Sequence, residues 1–335
     1  MMITRPDRQA GLRAPRPGQA GLLVADSIGL VARLTDRDRW ILRMLHEHRV
    51  LTTNQLAALA FPTPNKARRR LVALLHQRVV DRFRPFRPSG SAPWHWVLAP
   101  AGAAVLAAEA GAEVRELGYR ARRRLDIAHS LHLTHTIGVN DWFTTLTVTA
   151  KQHNAHVAQW WSEARCRRLW GDLARPDGFA RYTHTDTRLD LFLEYDLGTT
   201  SLTRVAAKLL GYSELARSTG VITPILVWVP TSRREAALRH AMRDTATALP
   251  DPDAVPVATA AAELLNPAQD HPSPADRVWL PLDTTGTTRV RLHELADAWP
   301  RRTSPPPENT HTDHTPVLLG GQIMLTPPPP IFHGQ

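Results

Sequence analysis

From Leu189 to Leu197 the chain reads LDLFLEYDL, and only one regular backbone makes sense of that order. Side chains on a strand alternate between its two sides, so Leu189, Leu191, Leu193, Tyr195 and Leu197 share one face. Asp190, Phe192, Glu194 and Asp196 share the other. Helical spacing would scatter both sets, so this segment commits the chain to a sheet. The opposite face then needs a reason to carry three carboxylates.

The surroundings make the question sharper, because the chain is basic: 41 Lys and Arg against 31 Asp and Glu, a formal charge of +10. Such a surplus favours polyanionic partners. Between residues 34 and 100 a dozen Lys or Arg face four Asp or Glu, so the excess is concentrated there. Cys166 is the single cysteine, which excludes an intramolecular disulfide and a Cys-type zinc site and fits a reducing cytoplasm. The N-terminus lacks a signal-peptide core, and no run of about 18 apolar residues suits a bilayer. A cytoplasmic protein with no membrane partner is expected.

Along the chain, residues 1–33 read as a disordered leader rich in Arg, Pro and Gly. Thr35 can cap a helix over DRDRWILRMLHEH, whose Trp40, Ile41, Met44 and Leu45 recur at helical spacing. LTTNQLAALAF predicts a second helix starting at Thr52 or Thr53. NKARRRLVALLHQRVV predicts a third, with Leu71, Leu74 and Leu75 inward. Two strand-like pieces around a Pro/Ser/Gly turn follow as a hairpin, so residues 34–100 predict a winged helix-turn-helix.

Residues 101–150 read as a helical linking region, and 151–248 as an α/β domain with strands near 156–161, after Asp177, at 190–197 and at 224–230. Residues 249–298 form a Pro/Ala-rich extension with one strand candidate at 277–282, and 299–335 a Pro-rich tail expected to be disordered.

Turning the apolar stripe of the third helix inward leaves Lys66, Arg69, Arg70 and Gln77 outward; with Arg68 they are the candidates to meet double-stranded DNA. Arg82, Arg84 and Arg87 on the wing are placed to meet flanking phosphates. A solvated charged face is the competing account of the same residues. A symmetric homodimer suits a helix-turn-helix that reads palindromes.

Pro176-Asp177, Glu194 on the next strand and Lys208 on the following helix form a second set. Two carboxylates from adjacent strands can hold Mg²⁺, which polarises a phosphodiester and activates water, while a Lys steadies the developing charge. Competing accounts are a Pro-Asp-Gly turn, a solvated strand face and an ordinary surface Lys. His129, His132 and His135 span too much of a helix to share one ion. Trp142, Trp160, Trp161 and Trp228 read as core. No phosphate-binding Gly-rich loop followed by Lys-Ser/Thr and no Gly-x-Ser-x-Gly turn is present.

Taken together, LTDRDRWILRMLHEHRVLTTNQLAAL, WVLAPAG, RPDGF, LFLEYDLGT and KLLGY resemble the replication-relaxation family of bacterial plasmid and mobile-element proteins, over roughly residues 34–245. The resemblance implies a winged helix followed by a restriction-endonuclease-like PD-(D/E)XK domain of α+β or α/β class, and roles in plasmid replication and DNA relaxation. It assigns Asp177 and Glu194 as the motif's two acids. Asp196 stands where an active nuclease of this kind has Lys; Lys208 is the candidate replacement, with Asp196 a third candidate metal ligand. Three functions follow as expectations: a DNA-binding replication and relaxation protein, a Mg²⁺-dependent nicking endonuclease, or a transcriptional regulator with a degenerate second domain.

Overall fold

A computed structural model describes residues 32–85, 90–120, 126–130, 132–265, 268, 272–284, 286–303, 305, 317–319 and 322–333. The leader expected at 1–33 lies almost wholly outside them. The chain forms two compact units: residues 1–137 with 313–328 and 332–335, and residues 138–312 with 329–331.

The first unit opens with three capped helices. In α1 (Asp36–His48) the Thr35 hydroxyl accepts from the Asp38 N–H and Asp38 accepts from the Thr35 N–H, a reciprocal capping box. Thr52 and Gln55 repeat the device at α2 (Thr53–Ala60). Thr63 caps α3 (Pro64–His76), whose Pro64 occupies the first turn, where its missing N–H costs nothing. Ala67, Leu71 and Leu74 are the buried stripe of α3; Leu75 is only half-buried.

Strands β1 (Leu51–Thr52), β2 (Val80–Phe83) and β3 (His95–Leu98) pair antiparallel in the order β1-β3-β2, as the expected hairpin requires. Under them Val50, Phe83, Val97, Ile127 and Ala128 form a small core.

Two expectations are corrected here. Residues 101–150 are not a linker. Helix α4 (Pro100–Glu109) belongs to the first unit, where Glu109 accepts from Arg39 at 2.8 Å and Arg43 at 3.3 Å. The division between the units falls within α5 (Leu133–Thr149). Nor is the tail without structure throughout. Strands β10 (Val317–Leu319) and β11 (Gln322–Met324) pair, the Ile323 N–H donates to the Glu116 carbonyl at 2.7 Å, and the Phe332 ring lies edge-on to Trp40. The average composition of the tail hides its few apolar residues, and Ile323 and Met324 are buried.

The second unit is built on a six-stranded sheet in the order β4-β5-β6-β7-β8-β9. Strands β4 (Ala155–Ser162), β5 (Gly178–His184) and β6 (Thr187–Tyr195) are antiparallel neighbours. Strands β7 (Ile225–Val229) and β8 (Val257–Ala261) continue parallel to β6, and the short β9 (Leu280–Pro281) closes the edge antiparallel.

Strand β8 was not expected. Its VATAA reads as part of an Ala-rich extension, yet all five residues are buried. The α9 guanidinium of Arg239 pins this edge by donating to Thr259 Oγ1 at 3.0 Å and to the Leu280 and Pro281 carbonyls at 2.7 and 2.8 Å; α9 runs Ser232–Thr247.

Both faces of the sheet are covered. One packs Phe179, Phe192, Ile225, Val227 and Val257 under α6 (Glu163–Trp170), α7 (Leu202–Ala206), α8 (Lys208–Thr219) and α9. On the other, Gly178 has room for no side chain, because a Cβ there would stand 2.5 Å from the Phe143 ring of α5. Trp142, Trp160, Trp161 and Trp228 are buried, as expected of core residues.

Candidate functional site

The double covering answers the question that β6 raises. Asp190 and Glu194 do not face water: they are 6% and 4% exposed. Burying a carboxylate is costly unless it is paired, and each acid of this face has its own cation. Asp190 accepts from Arg181 at 2.8 and 2.9 Å and from Arg188 at 3.1 and 3.2 Å. Asp196 is bound by Arg234 of α9, and Glu194 by Lys208 of α8.

Asp177 and Glu194 come together through strand register. Gly178 pairs with Leu193, so one step further Asp177 falls opposite Glu194 on the same face. The Asp177 N–H donates to the Leu193 carbonyl at 3.0 Å, and Asp177 Oδ2 accepts from the Tyr195 N–H at 2.8 Å. Glu194 Oε1 accepts from the Tyr212 hydroxyl and Oε2 from Lys208 Nζ. Lys208 and Tyr212 are four apart on α8, so one helical face supplies both.

Burial drives the Glu194 carboxyl up to about 7, and nearby Asp177 adds to the effect against the pull of Lys208. Burial alone would lower the Lys208 ammonium; Glu194 and Asp177 outweigh it and raise it. Tyr212 is driven well up by burial and by Glu194. At neutral pH the cluster therefore holds a firmly charged Lys beside a Glu poised to take or release a proton.

Asp196, expected as a third metal ligand, is instead bound to a cation of another helix. It follows β6, its N–H donates to the Trp228 carbonyl at 2.8 Å, and both its oxygens are taken by Arg234. Thirty-eight residues separate the partners, and nothing in the local pattern announces the pair. Among the described residues no three His, Cys, Asp or Glu side chains are grouped so as to hold one metal ion.

The basic candidates of the first unit divide. Lys66, Arg68 and Arg69 are exposed, Arg68 donating to Asn65 Oδ1 at 3.1 Å. Arg70 is not presented in the same way: its Nε donates to Asp38 Oδ1 at 2.7 Å and its Nη2 to Oδ2, locking α3 to the start of α1. Gln77 is half-buried at the C-cap of α3. Arg82 and Arg84 both lie over the Trp94 ring, at 3.9 and 4.1 Å from its centroid. Trp94 was missed, although centring the hairpin on its Pro-Ser-Gly turn would have set it opposite Arg84. Arg87 lies outside the described residues.

The class is a mixed α+β chain: one unit of three capped helices and a small sheet carrying a basic helix, and a second unit on a mixed six-stranded sheet carrying an Asp-Glu-Lys cluster in which Glu194 is buried, Asp177 half-buried and Lys208 exposed. The model of the replication-relaxation family matches residues 42–226, more than half of the chain, and the protein belongs to that family. The match runs from α1 to β7 and includes the basic helix and the Asp177–Glu194–Lys208 cluster. The family's description names replication and relaxation. No curated protein and no solved structure matches the chain. No helix among the described residues is long and apolar enough to cross a membrane.

Proposed function

We propose that the protein binds double-stranded DNA of a plasmid or other mobile element and acts in its replication or relaxation. The order α1-β1-α2-α3-β2-β3 is that of a winged helix, with α3 as reading helix and the β2–β3 hairpin as wing. The observation that carries the reading is the exposed set Lys66, Arg68 and Arg69 on α3, with Arg69 opposite the buried stripe and Lys66 and Arg68 flanking it. Arg82 and Arg84, held over Trp94, extend the positive surface along the wing.

Each phosphate neutralised contributes about 0.9 to the slope of log affinity against log salt, so contact with about five predicts −4.5. The Lys66→Ala, Arg68→Ala, Arg69→Ala triple variant should bring the slope to about −2 at unchanged folding. Affinity independent of salt in the wild type sinks the proposal.

A second reading rests on the placing of Asp177, Glu194 and Lys208, which supports a PD-(D/E)XK-type fold for the second unit. The site fits a divalent ion in one respect: strand register sets Asp177 opposite Glu194 on one face, so two carboxylates come from adjacent strands to one place. Asp177 and Glu194 would hold Mg²⁺, whose chemistry is to polarise a phosphodiester and acidify a water. Lys208 would release Glu194 Oε2 and steady charge on the phosphate, while Tyr212 keeps Oε1 in place.

Supercoiled plasmid incubated with the protein and Mg²⁺ should then yield open circles with the wild type and none with Glu194→Ala. Intact supercoils in both samples, with DNA binding retained, leave the binding role alone.

A further inference from the structure

Away from the Glu194 cluster, the second unit contains a cavity of about 230 Å³ walled by Arg188, Asp190, Ile222, Arg302 and Thr303 together with two prolines, Pro224 and Pro300. Its walls are braced. The Ile222 N–H donates to Thr303 Oγ1 at 2.6 Å, the Thr303 N–H returns a bond to the Ile222 carbonyl at 3.0 Å, and Thr303 Oγ1 donates to the Gly220 carbonyl. Two prolines stiffen the remaining wall.

Charge in the cavity is unbalanced. Asp190 is the carboxylate of its wall, and Arg181 and Arg188 together deliver four N–H donors to its two oxygens, using up its acceptor capacity. Among the described residues Arg302 bonds to a neutral acceptor, the Trp299 carbonyl, at 3.0 Å. Burial lowers its guanidinium, with Asp297 and Asp190 opposing from a distance. Each guanidinium carries five N–H donors, so both Arg188 and Arg302 hold more donors than these bonds use. Two guanidinium groups, Arg188 and Arg302, thus share the cavity wall with one saturated carboxylate.

We infer that this cavity binds a phosphate group, received by the Arg188 and Arg302 guanidinium groups, with Asp190 positioning Arg188. Planar guanidinium forks suit phosphate oxygens, and braced walls reduce the ordering cost of binding. The volume lies below the roughly 300 Å³ at which sites for drug-sized molecules begin, so the phosphate is the recognised part and whatever carries it extends outside. The inference stands apart from the DNA-binding reading, and its test is run in the Lys66→Ala, Arg68→Ala, Arg69→Ala background to remove phosphate held by α3.

Inorganic phosphate titrated calorimetrically into the full chain, in chloride of matched ionic strength, should bind saturably at one site per chain. Arg302→Ala and Arg188→Ala should each weaken it at least about tenfold, the scale of one charge-assisted bond. Arg188→Ala leaves Asp190 paired with Arg181, so the sheet is retained. For a measurement that needs no substitution, phosphate should protect Arg302 from modification by phenylglyoxal.

Absence of phosphate binding, undiminished binding in both variants, or modification of Arg302 at the same rate with and without phosphate each overturns the inference. Competition then identifies the source of the phosphate. A short oligonucleotide that displaces it only when 5′-phosphorylated marks a strand-end site; displacement by both the phosphorylated and hydroxyl forms marks a backbone site; displacement by neither marks a free phosphate or small phosphoester. All three agree with a phosphate pocket.

Discussion

Glu194→Gln will remove a pH dependence that the wild type carries. The folded carboxyl titrates at about 7 against an ordinary 4.5, so across that window the folded state holds a proton that the unfolded chain has released. Stability therefore falls as pH rises from about 4.5 to about 7. At about 1.4 kcal/mol for each pH unit between the two values, the whole change is ~3 kcal/mol. Lys208 stays protonated throughout, because its value is raised, and contributes no slope here.

Glutamine keeps an acceptor for Tyr212 and cannot ionise, so urea midpoints of the variant should stay flat where those of the wild type decline. Its stability at the acid end should be close to that of the wild type, where Glu194 is itself neutral. An identical slope in both proteins would assign the titration to another group and return Glu194 to an ordinary ion pair.

Asp38→Ala should be the most damaging single change in the first unit. Asp38 is fully buried, closes the α1 capping box and receives the Arg70 fork from α3. Removing one partner of a buried pair costs about 3–5 kcal/mol. Arg70 is 32% exposed and can turn its charge to water, which places the loss near ~3 kcal/mol.

Arg70→Ala should cost less, about 2 kcal/mol, because the Thr35 N–H and hydroxyl still donate to Asp38 at 2.8 and 2.7 Å. Burial raises the Asp38 carboxyl, but bonds from Arg70 and Thr35 more than reverse this, so its net value lies below the ordinary 3.8. The sign is thus opposite to that of Glu194: the contribution is full above pH 3.8 and is lost as pH falls through the lowered folded value. In DNA binding, Arg70→Ala should leave the salt slope unchanged. A slope shallower by about 0.9 with an unaltered urea midpoint would return Arg70 to the DNA-facing set.

These two clusters show which interactions a sequence reader can find. The Glu194 cluster is local in register: Asp177 lies just before one strand, Glu194 near the end of the next, and Lys208 and Tyr212 one turn apart on α8. Alternation and helical spacing bring all four to one place. The Asp38–Arg70 and Asp196–Arg234 pairs join positions 32 and 38 residues apart on elements whose packing no local pattern states. Local pattern alone therefore leaves Arg70 open to DNA and Asp196 open to a metal ion.

Strand β8 was missed because Ala has weak strand propensity and VATAA is a strand only when lined by β7 and β9. The ordered part of the tail was missed because a few apolar residues suffice once another surface receives them.

Sequence alone determined the local elements: Thr caps at α1 and α2, the alternation of β6, the basic side of α3, and the nearness of Asp177, Glu194 and Lys208 along the chain. Each follows from backbone periodicity and capping chemistry acting over a few residues. Tertiary structure decided which charges are free and which are spent. Covering the sheet on both sides placed the acids of β6 in a medium that tolerates carboxylates only when paired, and the fold then supplied Arg181, Arg188, Lys208 and Arg234 as partners. That pairing turned a row of acids into three separate ion-paired sites.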